Sequence, residues 1–270
     1  CEGTTTLFPV EYFDEGTAYL AQTGQLYIEA AIASVGRCYD FGPVFRNEKS
    51  KTRRHLTEFW MMDAEAAFVE HEENMDTQEG LVKAIVRACL AKCQEEFVLL
   101  ERDTSKLQAL VNKSFTRYTY DETIEKLRAL GSDIKHGEDL GNDDEGLLTQ
   151  NSPVPVFVHK WPKEIKPFYM KRDPANDGLV LNNDLIGIEQ AGEIIGGSQR
   201  EDDYNLLLER IRHEGLPEQE YQWYLDLRKY GSVPHSGFGI GLERTVAWIC
   251  GLEHVRETIP FPRLLNRLEP

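Results

Sequence analysis

The sequence lacks a hydrophobic run long enough to cross a membrane, and it has no excess of basic residues. Its 270 residues carry 30 Lys and Arg against 46 Asp and Glu, a formal net charge of −16 at pH 7. Non-specific nucleic-acid binding depends on neutralising phosphates with basic side chains, so this balance argues against it. A membrane-spanning helix needs about 20 consecutive apolar residues, and no secretory signal is visible. We therefore expect a cytoplasmic globular protein.

Cysteine is scarce, and its spacing does not indicate a metal site. Of the five cysteines only Cys89 and Cys93 lie close together, at the i, i+4 spacing of a helix. No further Cys or His follows at the spacing of zinc ligands, so buried reduced thiols are the better interpretation. His71 lies in an acidic run without a second histidine four residues later. We interpret it as the solvated start of a helix.

A glycine-rich segment is present, but it is not a dinucleotide-binding fingerprint. Residues 237–250, GFGIGLERTVAWIC, predict a strand that continues into an apolar helix, with Arg244 at the junction. Gly237, Gly239 and Gly241 alternate, so one strand face has no side chains and a flat ligand can approach the backbone. The segment does not match GxGxxG and no βαβ pattern surrounds it. Taken alone, packing of a helix on a sheet explains these glycines equally well.

A basic loop between two apolar segments is the other prominent feature. Residues 41–65 read FGPVFRNEKSKTRRHLTEFWMMDAE. They predict a strand over 41–45, a polar loop over 47–55 and a second strand from Leu56, antiparallel to the first. The sequence therefore predicts a hairpin with a cationic tip.

Alternation along this hairpin places chemically useful side chains together. Successive side chains of a strand point to opposite faces, so Arg46 and Glu48 share one face, as do Phe59, Met61 and Asp63. A guanidinium fits phosphate oxygens, a carboxylate can accept from an amine, and a ring offers a stacking plane. A solvated charged hairpin without a ligand is the alternative.

A third segment of interest carries two acidic residues. Residues 179–200, LVLNNDLIGIEQAGEIIGGSQR, predict a pair of strands that carry Asp184 and Glu193. Arg200 lies seven residues after Glu193, so simple alternation would place the two on opposite faces. A bulge at Gly196–Gly197 would bring Arg200 back to the same face.

The rest of the pattern predicts one domain of mixed helices and strands, without repeats or linkers. The remaining predicted elements are a hairpin over 10–13 and 18–20, helices over 22–35 and 74–100, a strand and helix within 115–130, a surface excursion over 132–152, strands over 154–159 and 167–171, a turn over 173–177, and helices within 201–230.

Together these segments resemble the class II aminoacyl-tRNA synthetases, and in detail the bacterial asparaginyl-tRNA synthetases. The resemblance rests on FRxE with a following EF, on GxGxGxER, and on CEGTTTLF, QTGQLYIEA, GEIIGGSQR and ETIPFPRLLNRL. It implies an α+β fold over residues 1–270, an antiparallel sheet flanked by helices that forms the catalytic domain. The family's anticodon-binding domain and its motif 1 would lie upstream, so we expect a fragment of a longer protein. Motif 1 builds the family's homodimer, so dimerisation of this fragment is left open.

The resemblance also implies a reaction and a set of residues. The enzyme would activate asparagine with ATP and Mg²⁺ and transfer it to the acceptor end of tRNA(Asn). The implied residues are the catalytic Arg46 and Arg244; Arg46, Glu48, Arg54, His55, Phe59, Glu193, Gly241 and Arg244 for ATP; Glu2, Gln25, Asp63 and Arg200 for asparagine; and Asp184 and Glu193 for the metal.

Three other functions are considered. They are an enzyme that makes free asparagine from aspartate and ammonia, an aspartate-specific synthetase, and a binding module without activity. In aspartate-specific relatives the resemblance implies a lysine three residues after Gln25, where this sequence has Ile28. Asp63 is then predicted to accept from the asparagine amide, unless it only forms a salt bridge with Arg200.

Overall fold

A seven-stranded sheet forms the centre of the fold in the computed structural model, which describes residues 6–267 and 269. In chain order the strands are β1 Pro9–Tyr12, β2 Gly16–Tyr19, β3 Arg37–Phe45, β4 Glu58–Ala67, β5 Thr116–Thr119, β6 Val156–His159, β7 Arg172–Asp173, β8 Asn176–Val180, β9 Asn182–Gly187, β10 Gly192–Gln199 and β11 His235–Gly241. The central sheet has the order β3-β4-β11-β10-β9-β6-β5, and only β5 and β6 pair in parallel. The predicted α+β class with an antiparallel sheet is confirmed.

Helices flank this sheet. They are α1 Gln25–Val35, α2 His71–Lys92, α3 Gln94–Leu99, α4 Ser105–Leu110, α5 Tyr120–Ala129, α6 Asn142–Thr149, α7 Tyr204–His213, α8 Gln222–Lys229 and α9 Leu242–Cys250, with 3-10 turns at Lys163–Ile165, Glu218–Tyr221 and Val255–Thr258. Within the described residues, none of these helices combines the length and apolar character that a membrane crossing requires.

Helix α2 covers one face of the sheet and buries the main core against it. Its apolar residues Met75, Val82 and Val86 belong to the same buried cluster as Leu185 of β9 and Phe238 of β11. Such burial is the dominant stabilising term in folding.

Polar contacts fix the position of α2 on the strands. Asn74 donates to the Gly237 carbonyl at 3.1 Å, and Gln78 exchanges two hydrogen bonds with Asn183 of β9. Because neighbours along a strand point to opposite faces, Asp184 must then point away from α2. The face opposite α2 is therefore the one that receives the acidic side chain.

The hairpin predicted around the basic loop is confirmed. Strands β3 and β4 pair antiparallel, with Phe45 opposite Glu58, and the Arg46 amide donates to the Thr57 carbonyl at 3.0 Å. The hydrogen-bonded ladder ends there, so Glu48 lies in the loop. Strand alternation therefore does not determine the direction of its side chain.

Two predicted helix boundaries are wrong. The helix predicted from residue 22 begins at Gln25, because Thr23 and the Gly24 amide donate instead to Asp63. The single helix predicted over 74–100 is α2 followed by α3, with a non-helical Cys93 between them. The change of direction lets Phe97 enter the core.

Two other predicted segments also differ. Residues 167–171 form a turn, closed by the Met170 amide on the Pro167 carbonyl at 3.2 Å, rather than a strand. The excursion over 132–152 contains α6, whose first turn carries Asp143, Asp144 and Glu145. Acidic residues at a helix N-terminus interact favourably with its dipole, which explains a helix in so polar a segment.

The predicted bulge exists but lies earlier in the strand. The register between β10 and β9 shifts between Glu193 and Ile195, while Gly196 and Gly197 pair regularly with Asp184 and Asn183. One extra residue in a strand moves each later side chain to the opposite face of the sheet, so Arg200 points to the same face as Glu193.

Candidate active site

A cavity of about 470 Å³ lies on the sheet face opposite α2. Strands β4, β10 and β11 contribute to its floor, and α9, the basic loop and residues 165–170 to its rim. Most of the predicted site residues line it: Gln25, Arg46, Arg54, His55, Phe59, Asp63, Asp184, Glu193, Arg200, Gly241 and Arg244.

Two predicted residues are not among those lining the cavity. Glu2 lies outside the described residues. Glu48 turns towards the basic loop, where its Oε2 is 3.7 Å from His55 Nε2. Glu48 lies beyond the end of the β3–β4 ladder, so its contact with a nucleotide stays a prediction.

The nucleotide end of the cavity combines cations with a ring. The Arg46 guanidinium lies 5.4 Å from the centre of the Phe59 ring, a cation–π distance. Arg244 donates to the backbone carbonyls of Glu193 and of Arg54, the latter at 3.2 Å. These bonds fix Arg244 between β10 and the basic loop. Burial lowers the pKa of Arg244.

The last residues of the basic loop, Arg54 and His55, have partners within the protein. The Arg54 guanidinium pairs with Glu145 of α6 and donates to Asn142 at 3.1 Å, so its contact with a phosphate stays a prediction. His55 contacts the Thr52 hydroxyl. Burial, followed by the charge of Arg244, lowers the pKa of His55 and favours its neutral form.

The two predicted metal ligands converge on a glycine. A Cβ built at Gly196 would lie 2.7 Å from Glu193 Oε1 and 4.0 Å from Asp184 Oδ1, so the absent side chain leaves room for both carboxylates. Lys166 Nζ pairs with Asp184 Oδ2 at 2.7 Å. Burial and the charge of Glu193 nevertheless raise the pKa of Asp184 to about 7. This end of the cavity therefore holds negative charge that one lysine does not fully neutralise.

The opposite end of the cavity is acidic. Asp63 Oδ2 accepts from the Thr23 hydroxyl at 2.6 Å and from the Gly24 amide at 2.8 Å. Burial raises the pKa of Asp63, and the nearby Asp40 adds to that rise. The salt bridge between Asp63 and Arg200 considered from the sequence does not form, because Arg200 pairs with other acids.

Arg200 belongs to a buried charge network. Its Nε donates to Glu65 Oε1 at 2.8 Å, its Nη1 donates to Ser198 at 2.7 Å, and Glu29 lies 4.0 Å away. Glu29 also accepts from Arg228 at 2.7 Å. Although burial opposes it, Arg228 holds the pKa of Glu29 well below its usual range.

Sequence reasoning missed Glu29 and Glu65, although simple spacing could have found both. Glu65 is two residues after Asp63 on the same strand face, and Glu29 is four residues after Gln25 on the same helix face. Gln25 donates to Glu29 at 3.1 Å. Glu145 and Lys166 carried no comparable signal, since each reaches the cavity from a separate segment.

Known proteins resemble this chain in both sequence and structure. A family model described as tRNA synthetases class II (D, K and N) matches residues 1–265. Asparagine--tRNA ligases of Desulforamulus reducens and Pelotomaculum thermopropionicum are 56% and 53% identical over 270 residues. Asparaginyl-tRNA synthetase from Pyrococcus horikoshii, solved in complex with asparaginyl-adenylate, matches 100% of the chain with a TM-score of 0.97 and 48% identity. The chain spans 62% of the length of each of these relatives.

The antiparallel sheet and its flanking helices are those of a class II tRNA synthetase catalytic core. More narrowly, the chain belongs to the class II tRNA synthetase family of the D, K and N type.

Proposed function

We propose that this chain activates asparagine with ATP to asparaginyl-adenylate and transfers the asparaginyl group to tRNA(Asn). The relatives at 53–56% identity are asparagine--tRNA ligases, and the Pyrococcus horikoshii structure contains asparaginyl-adenylate. A cavity with a cationic, aromatic end and an acidic end suits an adenylate joined to a polar amino acid.

In the first step the asparagine carboxylate attacks the α-phosphorus of ATP. A bond forms between a carboxylate oxygen and that phosphorus, and the bond to the pyrophosphate oxygen breaks. No protein nucleophile is required, so the chain acts by positioning the reactants and stabilising charge. Arg46 meets the charge that develops on the α-phosphate. Arg244 and Phe59 hold the adenine between them.

The residues on β9 and β10 fit a magnesium ion. Carboxylate oxygens are its preferred ligands, and Mg²⁺ usually takes one or two of them together with substrate phosphates. Asp184 and Glu193 converge over Gly196, and burial, together with the charge of Glu193, raises the pKa of Asp184. A cation bound there would offset the repulsion between the two carboxylates. A bound ion would supply electrostatic stabilisation of the phosphate oxygens. Lys166 also pairs with Asp184 and limits the repulsion between the two acids.

The acidic side chains around Arg200 favour binding of asparagine over aspartate. Its guanidinium already pairs with Glu65 and faces Glu29, and Asp63 stands nearby on the same strand as Glu65. A substrate carboxylate would lie beside Arg200, whose charge Glu65 already offsets, and would be repelled by Asp63. A neutral amide avoids that repulsion, with its oxygen accepting from Arg200 and its NH₂ donating to Asp63. This arrangement is the observation on which the asparagine assignment rests.

The second step uses the exposed side of the basic loop. Lys49, Lys51 and Arg53 are exposed beside the cavity, in a chain whose net charge is −16. A local cationic surface of this kind can hold the phosphates of an acceptor end while the terminal ribose hydroxyl takes the asparaginyl group. We place this reaction in the cytoplasm, where translation occurs.

A homodimer is part of the same proposal. Strand β3 is an edge of the central sheet and exposes Tyr39 and Phe41, which are 70% and 51% exposed. An edge strand with exposed aromatic rings favours association with another chain.

Pyrophosphate exchange with ATP tests the proposal. The purified chain is assayed in parallel with asparagine, with aspartate, and with aspartate plus ammonium. Exchange that depends on asparagine, followed by charging of tRNA(Asn), is the expected result. Exchange with aspartate alone would indicate an aspartate-specific synthetase. Free asparagine formed from aspartate and ammonium would indicate the amino-acid synthetase.

A further inference from the structure

A second cluster of chemically active side chains lies on the other face of the sheet. His71 begins α2, and His159 ends β6. His159 is paired with Asn183, whose side chain bonds to Gln78 of α2, so His159 shares the α2 face. Asp184 points into the cavity on the opposite face. The histidine pair is therefore separate from the candidate active site.

The two imidazoles are held side by side. His71 Nε2 and His159 Nδ1 are 3.2 Å apart, and the rings are stacked with centres 5.4 Å apart. The backbone amide of His71 donates to Gln199 at 3.2 Å, which fixes the start of α2 against the end of β10. The prediction of a solvated histidine is wrong, because His71 is only 5% exposed. Its partner comes from a distant segment, where local spacing gives no signal.

A third ligand completes the group. One ligand atom each from His71, Glu72 and His159 lie within 4.8 Å of one another, the one such trio found among residues 6–267 and 269. Two imidazole nitrogens bound to tetrahedral zinc, at about 2.05 Å each, stand roughly 3.3 Å apart. The observed 3.2 Å is close to that separation. Two histidines and a glutamate, with a fourth position left for water, are a ligand set known from zinc enzymes.

The charged side chains near the histidine pair have partners of their own. Arg117 pairs with Glu72 at 3.0 Å and with Asp76 at 2.6 Å, so it keeps a partner when Glu72 turns away, and Lys160 pairs with Asp173 at 2.9 Å. Glu72 is exposed and can turn from Arg117 towards a metal.

We propose that His71, His159 and Glu72 form a zinc site that ties the start of α2 to the end of β6. The site takes Zn²⁺ in tetrahedral geometry, with a water molecule as the fourth ligand. It stabilises the fold at a position remote from the catalytic chemistry. Binding to the folded state alone raises the free energy of unfolding.

Calorimetric titration of the metal-stripped chain with Zn²⁺ tests this proposal. We expect one ion per chain, and tetrahedral-type visible absorption when Co²⁺ replaces zinc. His159→Ala is the decisive variant because His159 is less buried than His71, and it should weaken binding by at least about 100-fold. His136→Ala is the matched control, since His136 is exposed and pairs with Asp121. It should bind zinc as the parent does.

Thermal unfolding provides an independent readout. Zn²⁺ should raise the melting temperature of the parent and of His136→Ala, but not that of His159→Ala. Absence of saturable binding would leave the histidines as a hydrogen-bonded pair and overturn the proposal. Binding that survives His159→Ala but is lost in Cys93→Ser would assign the ion to the cysteines and overturn it equally.

Discussion

Arg200 directs two of its nitrogens, Nε and Nη2, to a single oxygen of Glu65, and both side chains are buried. The other oxygen, Glu65 Oε2, has no hydrogen-bond partner among the described residues. Breaking such a pair by removing one partner leaves an uncompensated buried charge, which is strongly destabilising. The pair therefore fixes the orientation of Arg200 at the acidic end of the cavity before any substrate binds.

The first prediction concerns the adenine contact. Arg244→Ala removes a cation that is already positioned by the carbonyls of Glu193 and Arg54. We expect the KM for ATP to rise at least about tenfold, equivalent to roughly 1.4 kcal/mol of binding. The KM for asparagine should change little. Pyrophosphate exchange at varied ATP measures both quantities. Arg53→Ala is the control because its side chain is exposed, and equal effects of the two substitutions would contradict the assignment.

The sequence predicted the elements that local patterns control. The hairpin that carries Asp63 and the glycine strand β11 both follow from alternation, which depends on neighbouring residues alone. Contacts between distant segments could not be predicted in this way. The pairing of Arg54 with Glu145 joins residues 91 positions apart, and that of His71 with His159 joins residues 88 apart.

The bulge shows where prediction from pattern alone runs out. The spacing of Glu193 and Arg200 predicted that a bulge exists between them, but it did not predict where the bulge lies. The two glycines that suggested it pair regularly. They serve instead to make room, since a Cβ at Gly197 would lie 2.6 Å from Gln78 of α2. The alternation of side chains along β10 predicted an extra residue, whereas packing of the strand against its neighbours determines its position.

The second prediction separates two glycines of one strand. A Cβ at Gly237 would lie 2.0 Å from Glu65 Oε1 and 2.3 Å from the Ala64 carbonyl, whereas one at Gly241 meets nothing within 4 Å. Gly237→Ala should therefore destabilise the protein by about 1–3 kcal/mol, the usual effect of overpacking. Gly241→Ala should keep its stability but raise the KM for ATP, because Gly241 lines the cavity. Urea unfolding and exchange kinetics distinguish the two, and equal stability losses would contradict the packing argument.

The third prediction is a pH dependence of stability at Glu29. Arg228 and His235 hold the pKa of this buried carboxyl below its ordinary value of 4.5 despite the opposing effect of burial. A lowered pKa contributes stability above the unfolded value, and this is lost as the pH falls through the folded value. Glu29→Gln should therefore lose about 3 kcal/mol at pH 7.

The comparison across pH is the critical measurement for Glu29. The difference in stability between the parent and Glu29→Gln should narrow as the pH falls below about 4.5, where Glu29 becomes protonated in the unfolded chain. Denaturant unfolding at each pH gives this difference. Glu73→Gln serves as the control, because Glu73 is exposed and lies 3.6 Å from Arg37. A difference that widens on acidification would show that Glu29 is not held ionised.

The last prediction concerns Asp63 and the choice of amino acid. A substrate carboxylate about 4 Å from Asp63 would experience repulsion of about 4 kcal/mol at an effective dielectric constant near 20. That corresponds to roughly a thousand-fold discrimination. Asp63→Asn removes the repulsion and an acceptor for the asparagine NH₂, so asparagine activation should weaken and its advantage over aspartate should narrow.

A neighbouring carboxylate tests whether charge alone is responsible. Asp40 accepts from the Asp63 backbone amide at 3.3 Å and adds to the local negative charge, but Asp63 itself accepts from Thr23 and Gly24. Asp40→Asn removes a nearby charge and leaves those bonds in place, so it should change the ratio of asparagine to aspartate activation much less than Asp63→Asn. Exchange kinetics with both amino acids give the ratio for each variant. If Asp63→Asn kept both the asparagine kinetics and the ratio of the parent, discrimination would lie with the paired Arg200 and Glu65, and Asp63 would serve only to hold the loop before α1.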